Sequence, residues 1–308
     1  MPKIALVYHD GYDLQFGDHI FPSVKYRLIR ETLVEEGLAT PDSFYTPEPV
    51  SDEDLMLVHS EDWIKKLKQG TLNYGEILKL EIPYSRRIVH AFWLAAGGSI
   101  LAARLALKQG VGFNIGGGFH HAFREHGEGF CAINDVAVAA RKMIQEKTVE
   151  RVMIVDCDVH HGNGTAAIFQ GDPQVFTFSI HQFNNYPDVK PPSTLDVHLP
   201  DGVGDEEYLA RLGQALIPAL HQFQPNLLFY IAGADPYLED QLGGLNLTLE
   251  GLKQRDRLVI QTAIDSGVPV AVTLAGGYAL KLEDTVRIHS NTAWVAEDVL
   301  RRSNWDPR

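Results

Sequence analysis

The chain has 308 residues, of which 45% are hydrophobic and 22% are charged, a balance typical of a globular protein with a large core. Its net charge of −13 argues against DNA or RNA as a partner, because nucleic-acid binding requires a basic face. The two cysteines, Cys131 and Cys157, form no CxxC pair, which excludes a zinc site made of thiolates and favours a reducing compartment, so we expect a cytoplasmic protein.

Hydrophobic periodicity and turn residues predict strands and helices that alternate along the chain. The predicted strands are Lys3–His9, Val111–Ile115, Arg151–Val155, Val175–Ile180, Leu227–Ile231 and Val268–Leu274. The predicted helices are Ser23–Glu36, one that begins near Ser51, Ser85–Lys108, Ala132–Glu146, a short one around Thr165–Phe169, Glu206–Phe223, Leu249–Asp265 and Glu283–Arg301. The segment Asn184–Gly204 holds four prolines and no clear period, so we interpret it as a surface loop at the rim of a site.

This alternation predicts an α/β protein with three layers, α/β/α, around a mainly parallel sheet. No linker or repeat divides the chain, so we expect a single domain over 1–308. The N-terminus leads directly into a strand-like segment, from which we expect no signal peptide. The most apolar stretch, Ile88–Ala103, has 16 residues, fewer than the roughly 20 that span a bilayer, so we expect a buried helix and no membrane span.

Polar residues follow five of the predicted strands, at the carboxyl ends where open α/β sheets bind ligands. These segments are Gly116–His121, Asp156–His161, Ser179–His181, Gly233–Asp235 and Ala275–Tyr278. One such group alone is typical of a buried polar network, but convergence from five strand ends indicates a functional site.

The spacing of Asp156, Asp158 and His160 indicates a metal site. Residues at i, i+2 and i+4 of an extended chain share one side, so the three side chains can face one point. No Lys or Arg lies nearby in sequence to balance the carboxylates, which favours a cation. Asp235, from another strand end, can complete the three-ligand set of a catalytic metal. A closed metal site that only stabilises the fold is the alternative.

His120 and His121 follow a glycine run that lets the backbone approach a bound molecule. Because we expect the side chains of neighbouring residues to diverge, the sequence favours a proton-handling pair over two metal ligands. Their expected orienting partners are Asp156 and Asn163. Either histidine alone is also explained as a core histidine bonded to a backbone carbonyl.

Tyr278 follows Gly276 and Gly277 at a strand end, where its hydroxyl can hydrogen bond to a developing oxyanion. A strand-end tyrosine is more often a packing residue, so this feature gains meaning only together with the others.

Six segments resemble the histone deacetylase superfamily, which has the arginase–deacetylase fold. They are GGGFHHAF (116–123), GEGFCAINDVAVA (127–139), VDCDVHHGNGT (155–165), FSIH (178–181), GADPY (233–237) and AGGY (275–278). They stand in the family's order. The run 240–246 and the segment LPDGVGDEEYL (199–209) are most similar to the class IV branch and its bacterial relatives.

The resemblance implies a zinc ion bound by Asp158, His160 and Asp235. Because two Asp and one His form a hard ligand set, ferrous iron is an alternative metal. The family also implies a potassium ion near the carbonyls of Asp156, Asp158 and His160, and near Ser179.

The resemblance assigns the proton chemistry to His121, as general base and then general acid. It pairs His120 with Asp156, pairs Asn163 with His121, and gives Tyr278 the oxyanion. The branches of the superfamily differ at position 163, where some carry Asp. A neutral Asn should leave His121 less basic than an Asp would.

The function that the resemblance implies is a zinc-dependent lysine deacylase, in which metal-activated water hydrolyses the amide of an Nε-acyl-lysine peptide or protein. Gly129 and Phe130 would line a tunnel for the acyl-lysine stem. Leu242 stands at the position where acetylpolyamine amidohydrolases of the superfamily carry an acidic gatekeeper. Leucine there favours acyl-lysine over a cationic polyamine, although Glu239 and Asp240 are close enough to keep the polyamine substrate open.

Two further functions fit the sequence less well. A dimanganese ureohydrolase needs a second set of metal carboxylates, whereas Pro and Tyr follow Asp235 here. A non-catalytic binder of acyl-lysine would be expected to lack the base or the tyrosine.

Overall fold

The structure, a computed structural model, describes residues 3–15, 17, 19–303 and 305, so the ends of the predicted 1–308 domain lie outside the described residues. Its strands are β1 (Ala5–Val7), β2 (Phe44–Tyr45), β3 (Val111–Asn114), β4 (Val152–Asp156), β5 (Val175–Gln182), β6 (Leu195–Leu199), β7 (Leu227–Ile231) and β8 (Val270–Thr273). They form one sheet in the order β2-β1-β3-β8-β7-β4-β5-β6, in which every neighbouring pair is parallel.

Helices cover the sheet on both sides. They are α1 (Lys25–Glu35), α2 (Asp52–Leu55), α3 (Glu61–Gln69), α4 (Tyr74–Leu80), α5 (Arg86–Gln109), α6 (Asp135–Gln145), α7 (Asn163–Ile168), α8 (Asp205–Phe223), α9 (Leu249–Asp265) and α10 (Leu282–Arg302). α5 contacts α6 and packs against β1, β3 and β8. α10 contacts β3 and α1, α9 contacts β8 and α8, and α9 and α10 pack against each other. The predicted three-layer α/β/α fold is therefore confirmed, and the carboxyl ends of all strands point to one edge.

The predicted surface loop Asn184–Gly204 is wrong over five residues, because this segment contains β6. β6 pairs with β5 along its whole length and forms the edge of the sheet. Four of its five residues stay partly or fully exposed, so the strand lacks the apolar run that reveals a central strand. The prolines before it further hide the period of two.

Two helices in the segment 61–80 were not predicted. Ser60 caps α3, and Asn73 caps α4 in a capping box with Glu76. Both helices are short, with nine and seven residues, so neither gives a long periodic run, and α4 also leaves Tyr74 and Leu78 exposed. Their caps were the available signal.

The most apolar helix, α5, is by length and composition able to cross a membrane, since it has 24 residues. Contrary to the sequence-based expectation, length therefore does not distinguish a membrane span from a core helix here. Burial does. In its most apolar window, 78% of the residues are buried in the protein. A Cβ on Gly112 of β3 would lie only 1.9 Å from Ala102 O of this helix, so strand and helix are in tight contact. α5 is the predicted buried core helix.

His59, which follows α2 and is fully buried, hydrogen bonds to both ends of the segment 123–134. Its Nδ1–H donates to Phe123 O at 2.9 Å, and its Nε2 accepts from Asn134 N at 2.9 Å. Because Nε2 is an acceptor, the ring is neutral. Burial lowers the pKa of His59 from 6.5 to about 4, even though the carbonyl contact favours the charged form.

We expect His59 to make the protein acid-sensitive. Below about pH 6.5 His59 binds a proton in the unfolded chain but not in the folded protein, so this group alone should lower the free energy of unfolding by about 3 kcal/mol between pH 6.5 and pH 4, with no further effect below pH 4. Urea unfolding of the wild type and of His59→Gln at several pH values would measure this contribution. Equal pH slopes for the two proteins would contradict it.

Candidate active site

The carboxyl ends of β3, β4, β7 and β8 bring polar side chains to one place. β3 leads to His120 and His121, and β4 leads to the segment 156–160. β7 leads to Asp235 and β8 to Tyr278. The predicted site residues on these segments are nearly buried, each with less than a tenth of its surface exposed. A shared, buried and polar location of this kind is typical of an active site.

Asp158, His160 and Asp235 form a compact group of metal-ligating atoms. One donor atom from each residue lies within 4.8 Å of the other two. His160 Nδ1 is 3.0 Å from Asp158 Oδ1 and 3.4 Å from Asp235 Oδ2. Two carboxylates and one imidazole form a donor set that zinc binds with a fourth position open. These are the three residues that the sequence predicts as ligands.

The charge of this group suits a bound cation. Asp235 Oδ2 is buried and accepts no hydrogen bond from the part of the chain that the structure describes. Burial and the Asp158 carboxylate together raise the pKa of Asp235 to about 7. A divalent cation would satisfy the open oxygen and offset the repulsion between the two carboxylates. The residues therefore fit a metal ion.

Close backbone contacts hold both carboxylates in place. Gly276 N donates to Asp158 Oδ2 at 2.9 Å, and Val159 N donates to Asp235 Oδ1 at 2.8 Å. A Cβ at Gly276 would lie 1.9 Å from Asp235 Oδ2, and one at Gly233 would lie 2.5 Å from Asp158 Oδ2. Both positions therefore require glycine, because only glycine lets the backbone approach the ligands so closely.

The side chains of His120 and His121 converge, contrary to the expectation that they diverge. Their ring centroids are 4.1 Å apart, and their Nε2 atoms are 3.1 Å apart. Divergence is a property of extended chains, but here the backbone turns at Gly118, which has a φ of 86°. The predicted partners are in place: His120 Nδ1 is 2.6 Å from Asp156 Oδ2, and His121 Nδ1 is 2.7 Å from Asn163 Oδ1.

The hydrogen bonds and charges assign the protons of the two rings. Burial lowers the pKa of His120, but the Asp156 and Asp158 carboxylates outweigh it and raise the pKa to about 9. Burial and the neighbouring His120 lower the pKa of His121 well below its usual range. Without a metal, His120 is therefore charged, and its Nε2–H faces the Nε2 lone pair of the neutral His121, whose Nδ1–H is directed at Asn163. This lone pair is the basic atom of the pair, and His121 lies on the cavity wall.

Two residues that sequence reasoning missed, Asn134 and Asp135, hold the turn before the histidines. Asp135 Oδ1 accepts from the backbone N–H groups of Gly118 and Phe119, at 3.0 and 2.8 Å. The Asn134 side chain caps α6, which is why that helix begins at Asp135 and not at Ala132 as predicted. An Asn-Asp pair before an apolar helical run is a cap signal that could have revealed them.

Tyr278 lies beside the metal-ligating group. Its ring centroid is 6.4 Å from that of His160 and 6.0 Å from that of Phe130. Burial and the Asp235 carboxylate raise the pKa of Tyr278 well above its usual range, so the hydroxyl keeps its proton and can donate a hydrogen bond. Tyr278 N donates to Asp240 Oδ2 at 2.7 Å, which fixes the backbone of this residue.

A cavity of about 220 Å³ reaches His121, His160 and Tyr278. Its wall includes the three residues predicted to contact substrate, Gly129, Phe130 and Leu242. Tyr186, which sequence reasoning missed, also lines it, and its ring centroid is 4.9 Å from that of His121. Tyr186 belongs to the segment predicted to form the rim of the site.

Residues 19–293 match the histone deacetylase domain. The chain belongs to the histone deacetylase family. It is 43% identical to an uncharacterized protein of Picosynechococcus sp., with 96% of this chain and 98% of that one covered. It is 32% identical to histone deacetylase 2 of Arabidopsis thaliana, with 90% and 75% covered. The crystal structure of the HDA15 HD domain has a similar fold, with a TM-score of 0.79, 25% identity and coverage of 97% and 91%.

This family membership confirms the predicted superfamily and supports a deacetylase, and therefore a hydrolase, activity. The finer likeness to the class IV branch stays a prediction.

One of the five predicted strand ends does not join the site of this histone deacetylase family member. His181, at the end of β5, lies in a second group with His161 and Asp196. His161 Nε2 is 3.2 Å from Asp196 Oδ1, and His181 Nε2 is 2.9 Å from His198 Nδ1. Ser179, which the resemblance places near potassium, hydrogen bonds to His181 at 2.9 Å. The predicted convergence is thus wrong for β5, because its polar residues pair with β6, the strand that was missed.

Two acidic residues, Asp240 and Glu81, have different surroundings near the cavity. Asp240 is turned toward backbone N–H groups, and its Oδ1 accepts from Leu242 N and Gly243 N at 2.9 and 3.0 Å. Among the described residues, Glu81 is the acidic residue on the cavity wall. Burial and the nearby Glu128 raise the pKa of Glu81.

Proposed function

We propose that the chain is a zinc-dependent deacylase that hydrolyses the amide of Nε-acyl-lysine. The observation that carries this proposal is the group Asp158, His160 and Asp235, which lies beside a neutral His121 and a protonated Tyr278 at one small cavity. This arrangement offers metal ligands, a base and an oxyanion donor to the same substrate carbonyl.

The proposed mechanism gives each of these groups a role. A divalent cation held by the three ligands would supply polarisation of the amide carbonyl and a lower pKa for water. His121 Nε2 takes the proton of the attacking water, since its other nitrogen is bonded to Asn163. The Tyr278 hydroxyl donates a hydrogen bond to the carbonyl oxygen as that atom gains negative charge. His121 then gives its proton to the amine that leaves.

The shape and lining of the cavity support an acyl-lysine substrate. Phe130, Tyr186 and Leu242 make much of the wall apolar, which suits the four methylene groups of a lysine side chain. A polyamine would instead place a second ammonium near Leu242, where the Asp240 carboxylate is already bonded to backbone.

An acetylpolyamine amidohydrolase is the second candidate, because Glu81 lies on the cavity wall and can attract a cation. We expect the zinc-loaded protein to cleave acetyl-lysine and octanoyl-lysine peptides with a kcat/KM about tenfold or more above that for acetylspermidine, since an ammonium beside leucine stays unpaired. Leu242→Glu should narrow this ratio. The exposed Leu238→Glu, in the same segment, is the matched control and should leave it unchanged. A wild type that prefers acetylspermidine would overturn the acyl-lysine proposal.

The proposal also covers the cellular location, the extent of the domain, the branch of the family and the bound ions. We propose a cytoplasmic enzyme, which is supported by two buried cysteines that remain free thiols. We also propose one catalytic domain over 1–308, since no linker divides the chain, and class IV-like character on the resemblance of 199–209 and 240–246. Ferrous iron is an alternative metal for the ligand set. A potassium ion near Ser179 and the carbonyls of 156–160 remains part of the proposal on resemblance alone.

A further inference from the structure

Glu128 reaches the proposed base through one intermediate side chain. Asn163 donates its Nδ2–H to Glu128 Oε1 at 2.5 Å, and the Oδ1 of the same amide is 2.7 Å from His121 Nδ1. The three side chains therefore form a continuous chain from carboxylate to amide to imidazole. Glu128 itself does not line the cavity, and only 16% of its side chain is exposed.

The direction of the Asn163 amide decides which nitrogen of His121 carries the proton. With Oδ1 toward His121, Nδ1 must be protonated and the Nε2 lone pair is available. With the amide reversed, its NH2 group would face Nδ1, the proton would move to Nε2, and the ring would lose its function as a base. A wrong imidazole tautomer lowers turnover by about 10⁴ in serine proteases.

Glu128 favours one direction of this amide. An ionised carboxylate only accepts hydrogen bonds, so it can pair with Nδ2–H but not with Oδ1 of Asn163. Burial raises the pKa of Glu128, but hydrogen bonds from His126 and Asn163 outweigh burial and lower it, so the group stays ionised.

Contacts outside the proposed catalytic groups hold Glu128 in position. Its Oε2 is 3.3 Å from His126 Nε2, and the His126 ring stacks on Phe123 with centroids 4.6 Å apart. Its backbone O accepts from Cys131 N at 2.9 Å, in a turn that continues into Gly129. The carboxylate is thus directed at Asn163 by a scaffold that does not depend on the histidine pair.

We propose that Glu128 is a positioning residue of the proposed deacylase, whose carboxylate holds the Asn163 amide with its oxygen toward His121 and so keeps the His121 proton on Nδ1. The turnover part of this inference rests on the proposed function, whereas the tautomer part does not. The Glu128 carboxylate lies one side chain further from the imidazole than the Asp that some branches of the superfamily carry at position 163.

This arrangement predicts that substitutions at the two positions compensate each other. Glu128→Gln can offer its own NH2 to the amide and no longer enforces one direction, so kcat should fall about tenfold. In Glu128→Gln/Asn163→Asp the carboxylate moves next to His121 and accepts from Nδ1–H directly, so kcat should recover most of the loss. Asn163→Asp alone places two carboxylates against each other and should be less active than the double variant.

The experiment compares these three variants with the wild type, all zinc-loaded, by kcat for an acetyl-lysine peptide and by imidazole ¹⁵N NMR of His121. The exposed Glu125→Gln, in the same loop, is the matched control and should behave as the wild type. We expect a protonated Nδ1 in the wild type and a shift toward the other tautomer in Glu128→Gln. A double variant no more active than Glu128→Gln would overturn the proposal, and so would an unchanged tautomer in Glu128→Gln. If the wild type cleaves no acyl-lysine, the proposed function fails, while the NMR comparison still decides the role of Glu128.

Discussion

Replacing His121 by alanine should lower kcat for an acetyl-lysine peptide by about a thousandfold, with zinc content and fold unchanged. The reason is that His121 is the neutral imidazole beside the cavity, and its Nδ1 is already bonded to Asn163. The neighbouring His120 does not replace it, because its Nδ1 is bonded to Asp156 and it is not among the described residues that line the cavity. Steady-state kinetics with zinc analysis and circular dichroism would measure all three quantities.

His90→Ala is the matched control for this experiment, since His90 is exposed on α5 and lies outside the site. It should retain the kcat of the wild type. If His121→Ala kept more than about a tenth of the turnover, His121 would not be the main proton carrier, and the assignment of the base would be wrong.

The substitution Asp235→Asn should abolish turnover by weakening zinc binding at least about a hundredfold. It should do so without unfolding the protein. In the metal-free wild type, burial and Asp158 raise the pKa of Asp235 from 3.8 to about 7, so Asp235 lowers the free energy of unfolding as the pH rises between these two values, and the whole loss is present at pH 8. Metal-free Asp235→Asn should therefore be at least as stable as the metal-free wild type at pH 8.

Melting temperatures with and without zinc would separate these two effects. Zinc should raise the melting temperature of the wild type but not that of Asp235→Asn, because a ligand stabilises only the state that binds it. Asp196→Asn, in the second His-Asp group, is the matched control and should keep the zinc-dependent rise. An equal rise in Asp235→Asn would contradict the assignment of Asp235 as a ligand.

The central elements of the fold and the metal-ligating group could be predicted from local sequence. The strand Leu227–Ile231 and the helix Leu249–Asp265 have the predicted bounds, because each is a long apolar or periodic run with clear turn residues at its ends. Asp158, His160 and Asp235 could be found because parallel strands end at one edge, so polar residues just after buried strands lie close together.

The features that were missed depend on contacts between distant segments. β6 pairs on one side only and lacks an apolar run, so it was not predicted. Without β6, the polar residues at the end of β5 were wrongly expected to join the site. The convergence of His120 and His121 follows from a turn whose backbone is held by Asp135. Glu128 contacts Asn163, 35 residues later in the chain, from a loop with no periodic signal.

The single domain over 1–308, the cytoplasmic location and the roles of the site residues stay predictions.

Metal-dependent hydrolysis of acyl-lysine is tested most directly by removing the metal and returning it during cleavage of a fluorogenic acyl-lysine peptide. We expect a chelator to stop hydrolysis and zinc to restore it, because Asp158, His160 and Asp235 form an open three-ligand group and His160 lines the cavity. Hydrolysis that continues in the metal-free protein, or zinc-loaded protein that cleaves no acyl-lysine of any chain length, would contradict the account.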